Sequence, residues 1–295
     1  MMRSRVTFLT PTFGRDLKRF TLLRESMERC DIDIPHIAVV QDEHLAQFKA
    51  IPFQRGLTLL STRDALPPDI ERRRTARGYP RKNPMHWISP KPIVGWASQQ
   101  IVKLCAPSYI DCEGIICLDS DVFFVDRVDE ADFFTTDGRL HLYEKDREFT
   151  VETITWMAQS MRALQVPLGQ DPYLYVHNPV PLSRTVLQSM QARLAEIHGK
   201  SWIEVFLENN LTEYTTYGVF ARYVNGLTGL APVRPPYTLN YWHEGQLQGY
   251  TDSLVTRVEE ERARIVCISA AIGRDVTEYR PLIERLWSMR LKGPA

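Results

Sequence analysis

The apolar positions in the first sixty residues form three short runs, with a helical stripe between the first two. The runs at 5–10, 36–41 and 57–61 are rich in β-branched and aromatic residues, which is typical of β-strands. The stripe follows an N-cap candidate at Asp16, and its members are Leu17, Phe20, Leu23 and Met27. Strand, helix and strand at this spacing predict a parallel βαβ unit with a right-handed crossover.

The apolar segment at residues 114–125 carries two carboxylates near its middle. Residues 115–118 predict a strand buried on both faces, as in a parallel sheet, and Asp119 and Asp121 follow it directly. Open α/β sheets bind ligands at the carboxyl ends of such strands. Two oxygen ligands separated by one residue suit Mg²⁺ or Mn²⁺. The alternative is that Asp119 starts a turn and Asp121 caps it, with the apolar residues serving only as core.

A helix is predicted just before this strand, over residues 92–106. Its apolar stripe consists of Ile93, Ala97, Ile101 and Leu104. The opposite side groups Trp96, Gln99, Gln100 and Lys103. A surface helix usually shows simple charges on such a face, so we expect it either to pack against something polar or to be a partly exposed surface.

From about residue 150 onward the pattern is mainly helical. Helices are predicted to begin at Thr150 or Thr153, Ser183, Ser201 and Thr212, and a final amphipathic helix follows residue 275. Strands are predicted at 139–143, 173–177 and 264–269, and an aromatic loop with one histidine at 235–244. Gly218 lies inside the helix after Thr212, where it costs about 1 kcal/mol against alanine, so a packing or substrate reason is expected.

No linker is strong enough to divide the chain. We therefore predict a single α/β domain over residues 1–295, with a first half at 1–149 and a helix-rich second half at 150–295.

Residues 64–92 lose all periodicity and contain several prolines. Basic side chains crowd part of this stretch: Arg72, Arg73, Arg74, Arg77, Arg81 and Lys82. A solvated loop is one interpretation. The other is a loop that folds over a polyanionic substrate or rests on an anionic membrane face.

Composition narrows the class of protein. The 295 residues carry 36 basic and 36 acidic side chains, a balance that argues against a general nucleic-acid binder. Five cysteines without regular spacing indicate buried thiols in a reducing compartment, with neither a disulfide framework nor a zinc site. No apolar run approaches the ~18 residues of a membrane-spanning helix, and the N-terminus lacks the apolar core of a secretory signal. We expect a cytoplasmic enzyme.

Glycine-based phosphate sites are missing from the sequence. A dinucleotide-binding fold would place Gly-x-Gly-x-x-Gly after the first strand, but only Gly14 lies there. The Gly-Lys-Ser/Thr phosphate loop is also missing. The lack of these motifs favours a metal ion as the group that binds phosphate.

Four motifs in order along the chain carry a resemblance to a known group of enzymes. They are Val-Thr-Phe-Leu-Thr-Pro-Thr at 6–12, Trp-x-x-Gln-Gln-x-x-Lys-Leu at 96–104, Leu-Asp-Ser-Asp at 118–121 and Glu-Tyr-x-x-Tyr-Gly at 213–218. Together they resemble glycosyltransferases of the GT-A fold, in particular a bacterial group assigned by homology. The resemblance extends from residue 5 to about 245 and depends on the order and spacing of motifs that are individually short.

The resemblance implies a Rossmann-like, mixed but mainly parallel sheet flanked by helices, and a hexosyltransferase-type reaction. The donor would be a nucleotide-sugar and the acceptor a saccharide, a lipid-linked saccharide or an envelope polysaccharide. Asp119 and Asp121 would hold Mn²⁺ or Mg²⁺ on the donor's diphosphate, with His243 as a third ligand. A histidine in an aromatic loop could instead stack or donate a hydrogen bond. Peripheral contact with the inner membrane face would run through residues 72–82.

The resemblance also implies roles for residues around the donor. The loop after the first strand would border the nucleotide, through Thr10, Pro11, Thr12 and Arg15. Asp42 would face the base or ribose, and Gln100 and Lys103 would contribute from their helix.

The expected mechanism follows from the charges that develop during transfer. Cleavage of the sugar–phosphate bond builds charge on the leaving diphosphate, which Lys103 and a metal held by Asp121 would offset. Glu213 is the candidate base for the acceptor hydroxyl in an inverting reaction. Glu213 could equally sit in the first helical turn for dipole reasons alone. A retaining reaction would need no such base, so the stereochemistry stays open.

Three rival functions share part of this pattern. A haloacid-dehalogenase-type phosphatase would use Asp119 as nucleophile, although its motif usually lies near the N-terminus. A nucleotidyltransferase would carry a glycine- and Lys/Arg-rich loop after the first strand, which residues 11–15 match poorly. A non-catalytic saccharide-binding protein would need no metal for function.

Overall fold

The computed structural model describes residues 4–76, 92–93, 95–146, 150–169, 172–244 and 250–290. The strands are β1 Val6–Thr12, β2 His36–Val40, β3 Leu57–Ser61, β4 Gly114–Cys117, β5 Val122–Phe124, β6 Leu140–Tyr143, β7 Lys145–Asp146, β8 Tyr173–Leu174, β9 Val180–Ser183, β10 Leu230–Val233, β11 Thr238–Tyr241 and β12 Ile265–Ile268. The helices are α1 Leu17–Arg29, α2 Leu45–Lys49, α3 Thr62–Ala65, α4 Pro68–Thr75, α5 Gly95–Cys105, α6 Val151–Ala163, α7 Arg184–His198, α8 Trp202–Glu208, α9 Glu213–Tyr223, α10 Tyr250–Glu260 and α11 Val276–Arg290.

The central sheet has the strand order β3-β2-β1-β4-β9. The first four strands are parallel and β9 is antiparallel to β4. This confirms the predicted mixed α/β architecture with a mainly parallel sheet. Strands β1 and β4 are buried along their whole length, which explains the continuous apolar run of β4.

Strands β2 and β3 lie in sequence on one side of β1, and β4 lies on the other side of β1. The strand order therefore reverses between β1 and β4, which is where open α/β sheets form a crevice beyond the carboxyl ends of their strands. Leu9 pairs with Cys117 at the end of β4, so the residues after Cys117 emerge beside the last residues of β1. The Ser120 hydroxyl donates to the Thr12 hydroxyl at 2.7 Å and joins the two ends.

A second sheet supports the segment that follows Asp121. Its order is β11-β12-β5, with β12 antiparallel to β5 and parallel to β11. Trp287 of α11 donates its indole N–H to the Phe124 carbonyl at 2.8 Å. The late strand and the final helix thus close over β5, so the C-terminal part of the chain helps to hold the loop that carries the two aspartates.

Several predicted elements are confirmed with small shifts in their bounds. The apolar residues of α1 and α11 lie in the core as predicted. Ser183 caps α7 by accepting from the Val186 N–H, and Gly199 ends that helix in the left-handed conformation. Asp129 and Asp132 form a reciprocal cap after β5.

Gly218 has the predicted packing reason. A Cβ at this position would lie 2.1 Å from the Tyr175 ring, far inside van der Waals contact. A glycine therefore occupies this position of α9, despite its lower helix propensity, because the Tyr175 ring packs against the helix backbone there.

Other predictions for the described residues are wrong. Residues 68–75 are helix α4, because Pro68 suits the first helical turn and Ile70 buries one face. The strand at 173–177 is reduced to Tyr173–Leu174, and the predicted loop at 235–244 contains strand β11, because β12 supplies it with a partner.

The cysteines lie mostly in the interior. All five cysteines are free, and four are buried while Cys112 is half-buried. Among the described residues, none of the helices has the length and apolar character needed to cross a bilayer. Of the basic stretch at 72–82, residues 77–82 lie outside the described residues.

Candidate functional site

Three adjoining cavities lie along the carboxyl ends of β1 and β4. The aspartate cavity has about 520 Å³ and is lined by Pro11, Phe13, Arg15, Asp16, Arg19, Gln99, Asp119, Ser120, Asp121, Ala270 and Ala271. The arginine cavity, of about 260 Å³, shares Pro11, Phe13, Arg15 and Gln99 with it and adds Thr12, Val39, Gln41, Thr62, Arg74, Gly95, Trp96, Ser98 and Val102. The tryptophan cavity, of about 180 Å³, shares Gln99 and Asp119 and is further lined by Trp96, Gln100, Lys103, Trp156, Val176, His177, Thr212, Glu213, Tyr214 and Trp242. The shared residues make one cleft with three parts.

Asp119 is positioned by contacts to both carboxylate oxygens. Lys103 Nζ lies 3.0 Å from Oδ1, and the Asn178 amide donates to Oδ2 at 2.9 Å. The Asn178 side-chain oxygen Oδ1 also accepts from the Asp119 backbone N–H at 3.1 Å. Asn178 lies two residues before β9, so the antiparallel strand helps to fix the orientation of the first aspartate.

Asp121 is positioned by the second sheet. Its Oδ2 accepts from the Ala270 backbone N–H at 2.7 Å, and its Oδ1 accepts from the Cys267 thiol at 3.5 Å. Burial and the neighbouring charge of Asp119 raise the pKa of Asp121 to about 6. The two carboxylates therefore repel each other in a partly dry site, which is a condition that a bound cation relieves.

Lys103 lies between two carboxylates. Its ammonium is 3.2 Å from Glu213 Oε1 as well as 3.0 Å from Asp119, and only 5% of the residue is exposed. It also lies 4.7 Å from the centre of the Tyr214 ring. Burial by itself would lower the pKa of Lys103, but the adjacent Asp119, Tyr214 and Glu213 raise it well above its usual value, so the side chain stays charged.

Glu213 is held at the first position of α9. Its backbone N–H donates to the Gln100 side-chain oxygen at 3.1 Å, so a glutamine of α5 acts as the cap. Thr212 occupies the N-cap position but makes no side-chain cap bond. Burial raises the pKa of Glu213, and the Lys103 ammonium opposes that rise.

The structure brings most of the predicted residues together in this cleft. Asp119, Asp121, Lys103, Gln100 and Glu213 converge at its centre. Pro11, Thr12 and Arg15 line the arginine cavity, with the Arg15 guanidinium 4.2 Å from the centre of the Phe13 ring. Their proposed contacts with a donor remain predictions.

Three predicted residues lie elsewhere. Thr10 is fully buried and its hydroxyl makes a 2.9 Å hydrogen bond with His36 Nε2, so it supports β1 from within the core. Asp42 forms an ion pair with Arg63 at 2.6 Å, and neighbouring Gln41 lines the arginine cavity. His243 is exposed and is not among the residues that line the three cavities.

The two aspartates fit a hard divalent cation. Both supply oxygen, the donor that Mg²⁺ and Mn²⁺ prefer, and Mg²⁺ is commonly held by one or two carboxylates plus substrate phosphates. Burial, together with the neighbouring Asp119 charge, raises the pKa of Asp121, so a cation beside it would favour the ionised carboxylate. Within the described part of the chain no group of three or more His, Cys, Asp or Glu side chains is placed to hold a metal.

Sequence reasoning missed the residues that orient the aspartates. Asn178 and Cys267 have no motif, although Asn178 was visible as the polar residue directly after a predicted strand. It also missed Asp16 and Arg19 as lining residues, whereas Arg74, which lines the arginine cavity, belongs to the basic stretch for which contact with a polyanionic substrate was one interpretation. No local signal marks Asp16 and Arg19 as lining residues, because they reach the cleft only through the packing of separate elements.

Comparisons with known proteins place the chain in a family. A model described as a family of unknown function, DUF6492, matches residues 5–266, and the chain therefore belongs to that family. No curated protein matches the sequence. Among solved structures, the chain is similar to the crystal structure of galactosyltransferase LgtC in complex with donor and acceptor sugar analogues. The TM-score is 0.49 and the identity 14%, over 98% of this chain and 97% of that chain.

Proposed function

We propose that this member of the DUF6492 family is a metal-dependent glycosyltransferase that moves a sugar from a nucleotide-sugar to a saccharide acceptor. The observation that carries the proposal is the group formed by Asp119, Asp121, Lys103 and Glu213 at the reversal of strand order between β1 and β4. This group combines carboxylates suited to a cation with a buried ammonium and a buried second carboxylate. Departure of the diphosphate needs the bound cation and the ammonium, and activation of the acceptor uses the buried second carboxylate.

The donor's three parts correspond to the three parts of the cleft. The nucleoside would occupy the arginine cavity, which contains apolar Val39 and Phe13 beside the polar groups of Gln41 and Arg74. The diphosphate would occupy the aspartate cavity, where Arg15 and Arg19 offer positive charge. The sugar would extend into the tryptophan cavity, which Asp119 connects to the aspartate cavity.

Asp119 and Asp121 are the residues that would hold Mn²⁺ or Mg²⁺. When bound, such an ion supplies Lewis-acid neutralisation of the diphosphate. Lys103 keeps its proton and offsets the charge that develops on the leaving group. The contacts of Asn178 and Ala270 keep both carboxylates in fixed orientations, so that little reorganisation is needed when charge builds up.

Glu213 is the proposed base for the acceptor hydroxyl. Burial raises its pKa, which makes the carboxylate a stronger base than an exposed glutamate, and the Lys103 ammonium opposes that rise. This role belongs to an inverting reaction. The residues come from both halves of the chain, with Lys103 and Asp119 in the donor half at 1–149 and Glu213 in the acceptor half at 150–295.

The test is release of nucleoside diphosphate from a panel of UDP-, GDP- and dTDP-hexoses with Mn²⁺. We expect turnover with at least one donor and its loss in excess EDTA. Asp121→Asn should abolish release, whereas Asp137→Asn, in an exposed turn where Asp137 pairs with Arg139, is the matched control and should not change it. Full turnover in EDTA would remove the metal from the proposal.

The same preparations separate the rival functions. Turnover of nitrophenyl phosphate with a phosphoenzyme on Asp119 would establish a phosphatase instead. Saccharide binding that survives Asp121→Asn, without release of nucleotide from any donor, would establish a non-catalytic binding protein. Either result would overturn the transferase.

A further inference from the structure

The tryptophan cavity has a composition that distinguishes it from the rest of the cleft. Three of the six tryptophans of the chain, Trp96, Trp156 and Trp242, line it together with the Tyr214 ring. Two further polar groups, Gln99 and Gln100, line it from α5. Aromatic faces beside a few fixed polar groups suit a ligand that has both apolar C–H surfaces and hydroxyl groups.

The size of this cavity limits what enters it. Its volume of about 180 Å³ is below the ~300–1,000 Å³ typical of pockets for drug-sized ligands. The space suits a single sugar ring rather than an oligosaccharide.

The charge of the cavity selects among sugar rings. Among the described residues, the charged side chains that line it are the Lys103 ammonium and the Asp119 and Glu213 carboxylates. Burial lowers the pKa of His177 to about 3, so its ring is neutral and adds no positive charge. The Lys103 ammonium is already paired with both carboxylates at 3.0 and 3.2 Å, so a carboxylate on a sugar would have to compete for it.

We propose that the tryptophan cavity binds a neutral pyranose ring and rejects sugars that carry a carboxylate. This rests on the proposed function, and it names the class of sugar that the same site accepts. Hydroxyl groups can donate to Glu213 and to the glutamine side-chain oxygens, and the indole faces cover the C–H surface of the ring. A uronate would bring a further carboxylate next to Glu213, whose side chain is only 9% exposed, and like charges repel strongly where water is largely excluded.

The first experiment uses matched pairs of ligands on the wild-type protein. Calorimetry with UDP, GDP and dTDP in the presence of Mn²⁺ identifies the nucleotide. The matching neutral and acidic donors then follow, for example UDP-glucose against UDP-glucuronate. We expect the neutral donor to bind at least about tenfold more tightly than the uronate. Equal affinities, or tighter binding of the uronate, would overturn the inference.

A second measurement keeps this result separate from the proposed function. Tryptophan fluorescence is titrated with methyl glucopyranoside, methyl glucuronide and choline, without nucleotide or metal. Quenching by the neutral glycoside alone supports the pocket even if no nucleoside diphosphate binds, in which case only the transferase proposal fails. Quenching by choline but not by the glycoside would identify a cation cage and overturn the neutral-sugar assignment.

Variants locate the binding. Trp156→Leu should weaken the affinity for the neutral glycoside, read from the midpoint of the titration, about tenfold or more, since an aromatic face is lost. Trp202→Leu is the matched control, because Trp202 lines a separate groove with Cys105 and Gln191. It should leave that affinity unchanged. Glu213→Gln removes one carboxylate and should reduce the ratio of the affinities for the neutral and the acidic donor about tenfold. An unchanged preference in Glu213→Gln would contradict the electrostatic basis.

Discussion

Replacing Lys103 with methionine tests the charge arrangement at the centre of the site. The change keeps an unbranched apolar stem and removes the ammonium that lies 3.0 Å from Asp119 and 3.2 Å from Glu213. Removing one partner of a buried ion pair typically costs about 3–5 kcal/mol, because the charge left behind is uncompensated. The Asp119 side chain is 39% exposed and can recover water, whereas that of Glu213 is 9% exposed. We therefore expect a loss near the lower end, about 3 kcal/mol in the free energy of unfolding.

The loss should depend on pH with a definite sign. Burial raises the pKa of Glu213 above its usual value, and loss of the ammonium would raise it further. A carboxylate whose pKa is raised by folding contributes stability below its unfolded pKa of ~4.3. That contribution disappears as pH rises through the folded pKa. The free energy of unfolding of Lys103→Met should therefore be closest to that of the wild type at about pH 5 and furthest below it at about pH 8.

Urea unfolding followed by tryptophan fluorescence at both pH values measures the effect. Lys200→Met is the matched control, because Lys200 pairs with the exposed Glu208, and it should cost less than about 1 kcal/mol. The double variant Lys103→Met/Glu213→Gln should recover part of the loss, since the most buried carboxylate is then neutral. If Lys103→Met unfolds within about 1 kcal/mol of wild type at both pH values, the assignment of a buried ion pair is refuted.

Further predictions concern the residues around this centre. Asp121→Asn should raise the free energy of unfolding by about 1–3 kcal/mol above pH 7 and by less at about pH 4. Burial raises the pKa of Asp121 to about 6, so the stability that its protonated form contributes is lost as pH rises. Urea unfolding that shows Asp121→Asn to be less stable than wild type at pH 7 would contradict this. Asn178→Ala should cost about 1–3 kcal/mol in the same assay and lower turnover, because the Asp119 carboxylate and N–H both lose a partner; unchanged turnover would exclude a positioning role. Gly218→Ala should destabilise by about 1–3 kcal/mol because the new Cβ meets the Tyr175 ring, and a stable variant would show that this ring moves freely.

The amino-acid sequence determined the parts of this protein that depend on local pattern. Apolar runs and helical stripes predicted β1 to β4, α1, α5, α7 and α11, since periodicity reports directly which face of an element is buried. The placement of Asp119 and Asp121 beyond a buried strand also followed from the chain alone, because the direction of a parallel strand decides which end carries the ligand site. The helical face with Gln100 and Lys103 was visible for the same reason.

Only the tertiary structure decided which of these residues meet. Glu213 lies 110 positions after Lys103 in the chain, yet the packing of α9 against α5 places them 3.2 Å apart. Asn178, two residues before β9, and Cys267, in β12, bind the two aspartates, and no local pattern specifies how those strands pair. Asp42 and Thr10 have plausible local positions but turn toward Arg63 and His36. Side-chain partners from distant segments are set by the global arrangement of elements, so a pattern read over a few residues cannot supply them.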